Sequence, residues 1–312
     1  MTMLKPAAVV CASVLSLAAV KAYVPVASAA ADTPAAPAGD CPRCAEWSEP
    51  EAPFRIYGNT YYVGTHGLSS ILVTSTAGHV LNDGTLSEAA PQVLANIRAL
   101  GFRVEDVRLI LNSHVHFDHA GGIAAIQRAS GAAVAASPSS ARVLREGHSG
   151  PDDPQYASLP RGPEPVPQVR IVRDGETETV GPLALTAHFT PGHTPGGTTW
   201  SWQSCEGSRC LQVVYADSLN PLSAPAFRFT ASSTYPSALS DFEHSFQVLG
   251  SLPCDILLTA HPEVSDMFGR LQRRAAGSRP DAFIDANACR DYVARGRANL
   301  EKRLAEERST AR

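Results

Sequence analysis

What the chain does without narrows its function first. It has no run of basic residues interleaved with aromatics, and 26 Lys+Arg against 30 Asp+Glu leave a net charge of −4. Nucleic acid is therefore excluded as a partner class. No short-period repeat is present, which sets aside repeat arrays. The apolar stretch "PAAVVCASVLSLAAV" is confined to the N-terminus and interrupted by Lys21, which argues against a retained membrane span. Only one CxxC pair occurs, "CPRC" at 41–44. A zinc ribbon needs a second such pair, and a thioredoxin-like site needs a preceding strand, which "ADTPAAPAGD" is not. A local bridge or two free thiols remain for Cys41 and Cys44.

The N-terminus reads as an export leader. Lys5 gives the positive start, the apolar stretch follows, and "ASA" at 27–29 is a small-residue cleavage site. Cys11 lacks the small residue before it that a lipoprotein signal needs. The expectation is a signal peptide over 1–29, a Pro- and Ala-rich flexible arm over 30–53, a folded domain over 54–312, and a periplasmic location. Cleavage removes one of seven cysteines and leaves an even six, a count that suits disulfides in an oxidising compartment. "SCEGSRC" closes a short loop between two strands, predicting Cys205–Cys210. Cys254 precedes the strand "DILLT" and Cys289 opens a helical pattern, so their pairing would tie the terminal helix to the core.

Histidine is scarce, ten in 312 residues, yet "LNSHVHFDHAGG" (111–122) packs three and an aspartate into six positions. The apolar run "VRLIL" before it predicts a buried strand, and "AGGIAAIQRAS" after it a helix ending at Gly131. The cluster thus sits on a strand-to-helix turn, where imidazole and carboxylate together suit zinc. One turn cannot supply two full sites. His193 in "FTPGHTPGGTTW" and His261 in "LLTAHPE" both fall just past apolar strands, where loop residues meet over a sheet edge. His66, His79, His148, His188 and His244 lack that setting and read as structural or surface residues. Strands and helices recur in two similar halves, predicting an α/β sandwich of sheets covered by helices.

"HVHFDHAGG", "PGHTPGGTTW", "YADSL" and "TAHPE", in this order, resemble the metallo-β-lactamase superfamily, and within it the third subclass of class B β-lactamases (B3). Ser218 stands where first-subclass enzymes place a zinc-binding cysteine, and the cysteine loop, the Cys254/Cys289 pair and "CRDYVARGRANLEKRL" match the exported third-subclass pattern. The resemblance implies a four-layer αββα sandwich and two zinc ions per chain. It assigns His114, His116 and His193 to one ion, and Asp118, His119 and His261 to the other. It implies hydrolysis of the amide of penicillins, cephalosporins and carbapenems, and so antibiotic resistance, with no acyl-enzyme. Zinc would activate water, Asp118 would orient it, and Ser218 and Asn220, two apart and so on one side of an extended chain, would bind the substrate carboxylate. No obligatory protein partner is evident. A lactonase or thioesterase on the same fold, or a non-catalytic zinc-binding periplasmic protein, are the alternatives. In the first of these, Asp217 would bridge both metals, whereas the subclass resemblance makes it structural. Two departures stand out. Asn82 replaces a usual apolar residue before Asp83, which would loosen that strand. His66 stands where some relatives have the cysteine that pairs with an N-terminal one.

Overall fold

Short β-branched runs make the first strands. In the computed structural model, which describes residues 1–3 and 41–309, these are β1 (Phe54–Tyr57), β2 (Thr60–Tyr62), β3 (Ile71–Ser75) and β4 (Gly78–Asn82). All but the start of the expected leader, and the arm as far as residue 40, lie outside the described residues. Residues 41–53, assigned by composition to the flexible arm, are seated on the domain. Cys41 and Cys44 are bridged, which settles "CPRC" as a local disulfide. Cys44–Trp47 forms one helical turn, α1, and His66 N–H donates to the Glu49 carbonyl at 2.8 Å.

After β4 come α2 (Ala90–Ala99), β5 (Val107–Leu111), α3 (Phe117–Ala120), α4 (Ile123–Ser130), β6 (Ala133–Ala136), α5 (Pro138–Glu146) and β7 (Val169–Ile171). The second half supplies β8 (Thr177–Val180), β9 (Leu183–Phe189), β10 (Thr198–Glu206), β11 (Arg209–Ala216), α6 (Ala238–Ser251), β12 (Ile256–Thr259), α7 (Met267–Ala275) and α8 (Ala288–Ser309). Among the described residues β1 to β7 form one sheet in sequence order. The other sheet runs β12-β11-β10-β9-β8.

Three apolar layers hold four structural ones together. Tyr62, Ile71, Val73, Trp200, Trp202 and Tyr215 fill the space between the sheets. Their polar tips stay paired: Trp200 Nε1 donates to the Asn112 carbonyl and Trp202 Nε1 to Thr60 Oγ1, each at 3.0 Å. The outer face of the first sheet packs on α2, α4 and α5 through Val93, Ile97, Ile123, Ile126 and Leu144. The second sheet packs on α6 and α8 through Phe242, Phe246, Tyr292 and Leu300. This is the expected αββα sandwich, and α8 turns Tyr292, Val293 and Leu300 inward.

Asn82 does not loosen β4. It holds register between Ile71 and Leu111 and is fully buried. Its cost lies in the side chain, whose Oδ1 and Nδ2 have no hydrogen-bond partner among the described residues. A buried unpaired amide costs about 1–3 kcal/mol. Asn82→Leu, which keeps the branched shape without polar atoms, is therefore expected to raise Tm, by roughly 2–4 °C per kcal/mol in a domain of this size. A lower Tm would show that the amide is paired in solution.

Both expected disulfides are present. Cys205–Cys210 closes the β10–β11 hairpin, and Cys254–Cys289 spans 35 positions to fasten the start of α8 beside β12. Replacing the second pair with alanines should cost about 2–4 kcal/mol of unfolding free energy, read by urea denaturation. Peptide mapping without reduction checks the pairing, and free thiols at these positions would contradict it.

Candidate metal centre

Side chains of three loops and one short helix meet where β5, β9, β11 and β12 end or turn back, on one edge of the two sheets. The first turn is held from below. Asp83 and Thr85 have φ of 66° and 59°, left-handed values that side chains other than glycine seldom adopt. The buried Asp83 carboxylate accepts Ser113 N–H at 2.7 Å, Ser113 Oγ–H at 2.6 Å and Tyr215 O–H at 2.7 Å. Three donors make so strained a corner tenable. Gly84 N–H then donates to the His119 carbonyl at 2.8 Å, and Gly122 N–H to the Thr85 carbonyl at 3.0 Å. A Cβ on Gly122 would lie 2.2 Å from the Gly84 carbonyl oxygen, so this approach requires glycine. The turn read from the sequence thus contains a helical turn of its own, α3, ahead of the expected helix, α4.

Two clusters of potential metal ligands result: His114, His116 and His193, and Asp118, His119 and His261. In each, the ligand atoms lie within 4.8 Å of one another. They are the six residues singled out from the sequence, in the same two sets. The clusters adjoin, with the His114 and His119 ring centroids 4.3 Å apart. All are buried except His261, which is partly exposed.

Their surroundings fit a cation. His114 Nε2 and both ring nitrogens of His119 are buried with no hydrogen-bond partner among the described residues. Buried polar atoms are normally paired, and a metal ion would satisfy them. Burial, then the neighbouring His119, His116 and His193, hold the His114 pKa well below its ordinary value. His193 is pushed down to about 3 by burial and by His116. Both rings are thus neutral, the form that binds metal. Burial alone would raise Asp118, but His119 and His261 beside it outweigh burial and hold its carboxyl well below the usual carboxylate range.

Acceptors behind the rings set which nitrogen faces inward. His114 Nδ1–H donates to Asp217 Oδ1 at 2.7 Å, and His193 Nδ1–H to the Asn220 carbonyl at 2.7 Å. Asp217 therefore lies behind His114 and belongs to neither cluster. His66 pairs with Glu51, His188 with Ser201, and His79 stacks edge-on against Phe102, in keeping with their structural reading.

The clusters form the floor of a cavity of about 620 Å³, within the range of small-molecule sites. Ser218 and Asn220 line it, as anticipated, but not as alternate positions of an extended chain. Residues 217–224 leave the sheet, and Ser218 Oγ accepts Asn220 N–H at 3.3 Å, so the segment turns. Trp47, Gln155, Leu159 and Arg295 also line the cavity and were not anticipated. Trp47 stacks obliquely on His261 with centroids 5.3 Å apart. Gln155 and Leu159 come from the proline-rich loop after α5, where no periodicity marks an inward-facing position. Arg295 is exposed, but its position beside the cavity had a signal, since it lies three residues from buried Tyr292.

Comparison with known proteins follows the same line. Residues 63–206 match the family model of the metallo-beta-lactamase superfamily. The Rm3 metallo-beta-lactamase structure is 59% identical with a TM-score of 0.84, covering 86% of this chain and 99% of that one. MEM-A1, a subclass B3 metallo-beta-lactamase from a soil metagenome library, is 50% identical with a TM-score of 0.82, covering 85% and 99%. SMB-1, bound to 2-mercaptoethanesulfonate, is 50% identical with a TM-score of 0.80, covering 84% and 99%. Among curated proteins, the hydroxyacylglutathione hydrolase of Anaeromyxobacter dehalogenans (strain 2CP-C) is 38% identical over 96 residues. That match covers 31% of this chain and 29% of that protein.

Proposed function

Since the chain belongs to the B3 subclass of the metallo-β-lactamase superfamily, we propose that it hydrolyses the amide of penicillins, cephalosporins and carbapenems with two zinc ions. The observation that carries this reading is the pair of ligand clusters side by side on the floor of one cavity. Zinc bound there supplies water activated at neutral pH and a Lewis acid for the amide carbonyl.

The protein's own residues do the positioning. His114, His116 and His193 hold one ion, and Asp118, His119 and His261 the other. Asp118 Oδ2 lies 3.3 Å from His119 and 3.4 Å from His261, which leaves Oδ1 to orient a water. Ser218 Oγ and the Asn220 amide line the cavity beside these clusters and hold the substrate carboxylate. Trp47 and Leu159 add apolar wall, which keeps bulk water from the strained ring. No side chain in this arrangement is needed as a covalent nucleophile. With this reading go a leader over 1–29, a catalytic domain over 54–312, export to the periplasm and a role in antibiotic resistance.

A lactonase or thioesterase would place Asp217 between the two metals. Asp217 stands behind His114 instead, in the role of an outer partner, which favours the lactamase. Hydrolysis of a carbapenem and of a homoserine lactone, side by side and with or without chelator, tests the choice. Chelator-sensitive opening of the carbapenem alone is expected. Preferential opening of the lactone would reverse the assignment.

A further inference from the structure

The loop between α5 and β7 carries three acidic residues, and they are treated differently. Asp152 pairs with Arg142 at 3.0 Å and Glu164 with Arg128 at the surface. Asp153 is turned inward, 3% exposed, and is salt-bridged to no arginine or lysine among the described residues. A buried carboxylate is costly without a partner. Its partner is His116, whose Nε2 lies 3.0 Å from Oδ2 and 3.2 Å from Oδ1. Asp153 Oδ1 also accepts Gln155 N–H at 2.9 Å. The next residue, Pro154, is fixed through its carbonyl, which accepts Ala224 N–H at 2.8 Å. The loop is thus fastened to the cavity wall just where Asp153 reaches inward.

A carboxylate accepts hydrogen bonds and donates none, so its contact keeps the His116 proton on Nε2. Nδ1 is left with its lone pair. That nitrogen faces the cluster, because Gln155 Nε2 lies 3.5 Å from both His116 Nδ1 and His193 Nε2. The other two rings of this cluster present Nε2, their Nδ1–H groups being taken by Asp217 and the Asn220 carbonyl. His116 is therefore the odd ring of the three, and the loop supplies the acceptor that turns it round. The second cluster is less supported. His261 Nδ1 has only the Gly67 carbonyl at 3.3 Å, and the one group near a His119 ring nitrogen among the described residues is Asp118 Oδ2 at 3.3 Å, itself a member of the cluster.

We infer that Asp153 is a positioning residue for the first metal cluster, holding His116 in the orientation and tautomer that offer Nδ1 to the ion. The inference rests on the reading that this cluster binds zinc. Outer acceptors of this kind fix ring orientation and raise ligand basicity, and losing one typically weakens metal binding about 10–100-fold.

The test is Asp153→Asn. Asparagine keeps Oδ1 for Gln155 N–H but sets an amide donor against His116 Nε2. Metal-free full-length protein would be titrated with zinc against a chromophoric chelator. One of two equivalents should bind about 10–100-fold more weakly, the other as in wild type. In the cobalt-substituted protein, the exchangeable Nε2–H resonance of His116 should be sharp in wild type and lost in D153N. Asp152→Asn, on the same loop but facing Arg142, should bind zinc like wild type. Asp153→Glu, which keeps an acceptor, should recover part of the loss, and it decides the matter should D153N fail to fold. Wild-type affinity in D153N would overturn the inference. So would equal losses in D152N and D153N, which would make the fold of the loop responsible, or a D153E protein that binds no better than D153N. Uptake of a single equivalent by wild type would refute the two-ion reading instead. The change in that equivalent's affinity in D153N would still decide the role of Asp153.

Discussion

Replacing His261 with alanine is expected to lower bound zinc from about two equivalents to about one, and to cut β-lactam turnover by more than the ~10–100-fold cost of losing an outer partner. The expectation follows from how the ligands are divided. His261 is the only ligand of its cluster that comes from the second half of the chain, while Asp118 and His119 sit together on α3. Two adjacent ligands leave a zinc ion short of the three or four it needs. His116→Ala should empty the other cluster by the same reasoning. Elemental analysis of protein purified without chelator gives the metal count, and turnover of a chromogenic cephalosporin gives the rate. Removing both ions by dialysis should stop hydrolysis, whereas agents that acylate serine β-lactamases should leave it intact. A fully active one-zinc protein, or a trapped acyl-enzyme, would refute the two-metal mechanism.

Replacing Ser218 and Asn220 together with alanine should raise KM steeply while zinc content holds at two equivalents. Each side chain can donate one hydrogen bond to the substrate carboxylate, and bonds to a charged acceptor contribute about 1.5–3 kcal/mol each. At tenfold per ~1.4 kcal/mol, the pair amounts to roughly two to four orders of magnitude. The separation from metal binding has a structural reason. What Asn220 gives His193 is its backbone carbonyl, which alanine keeps. Loss of zinc in the double variant would place this loop in the metal site. An unchanged KM with unchanged zinc would mean that the carboxylate is bound elsewhere, with Arg295 the next residue to test.

The candidate ligands were legible in the sequence because each stands just past a run of apolar residues, and the end of a buried strand is where side chains meet over a sheet edge. The strands and long helices were legible for the same reason, since their burial follows a period. Besides the short α1 and α3, two elements were not. The β8 segment "TETV" buries little beyond Glu178, and α7, "MFGRLQRRA", has three arginines and a glycine that hide its helical stripe. Asp153 and Gln155 lay in a proline-rich loop whose path is set by contacts with distant residues such as Ala224. Local sequence carries no record of such contacts. The Ser218–Asn220 segment shows the converse: its place at the cavity followed from its position after β11, but its turn depends on a side-chain hydrogen bond that alternation does not predict.

Trp47 has a consequence for the order in which the molecule can assemble. Its ring covers His261 and approaches Phe117 at 6.5 Å, so the cavity wall joins residues more than two hundred positions apart. Contacts of such long range form late, because the loop between the partners must close before they are gained. Trp47 leaves the ribosome before the strand that brings in His261 has been made. It must wait for β12 to pair with β11 before it has a ring to cover. Until then the indole can pack only on nearer residues such as Leu68, Leu86 and Phe117. The wall of the metal centre is thus complete only once both halves of the chain have folded.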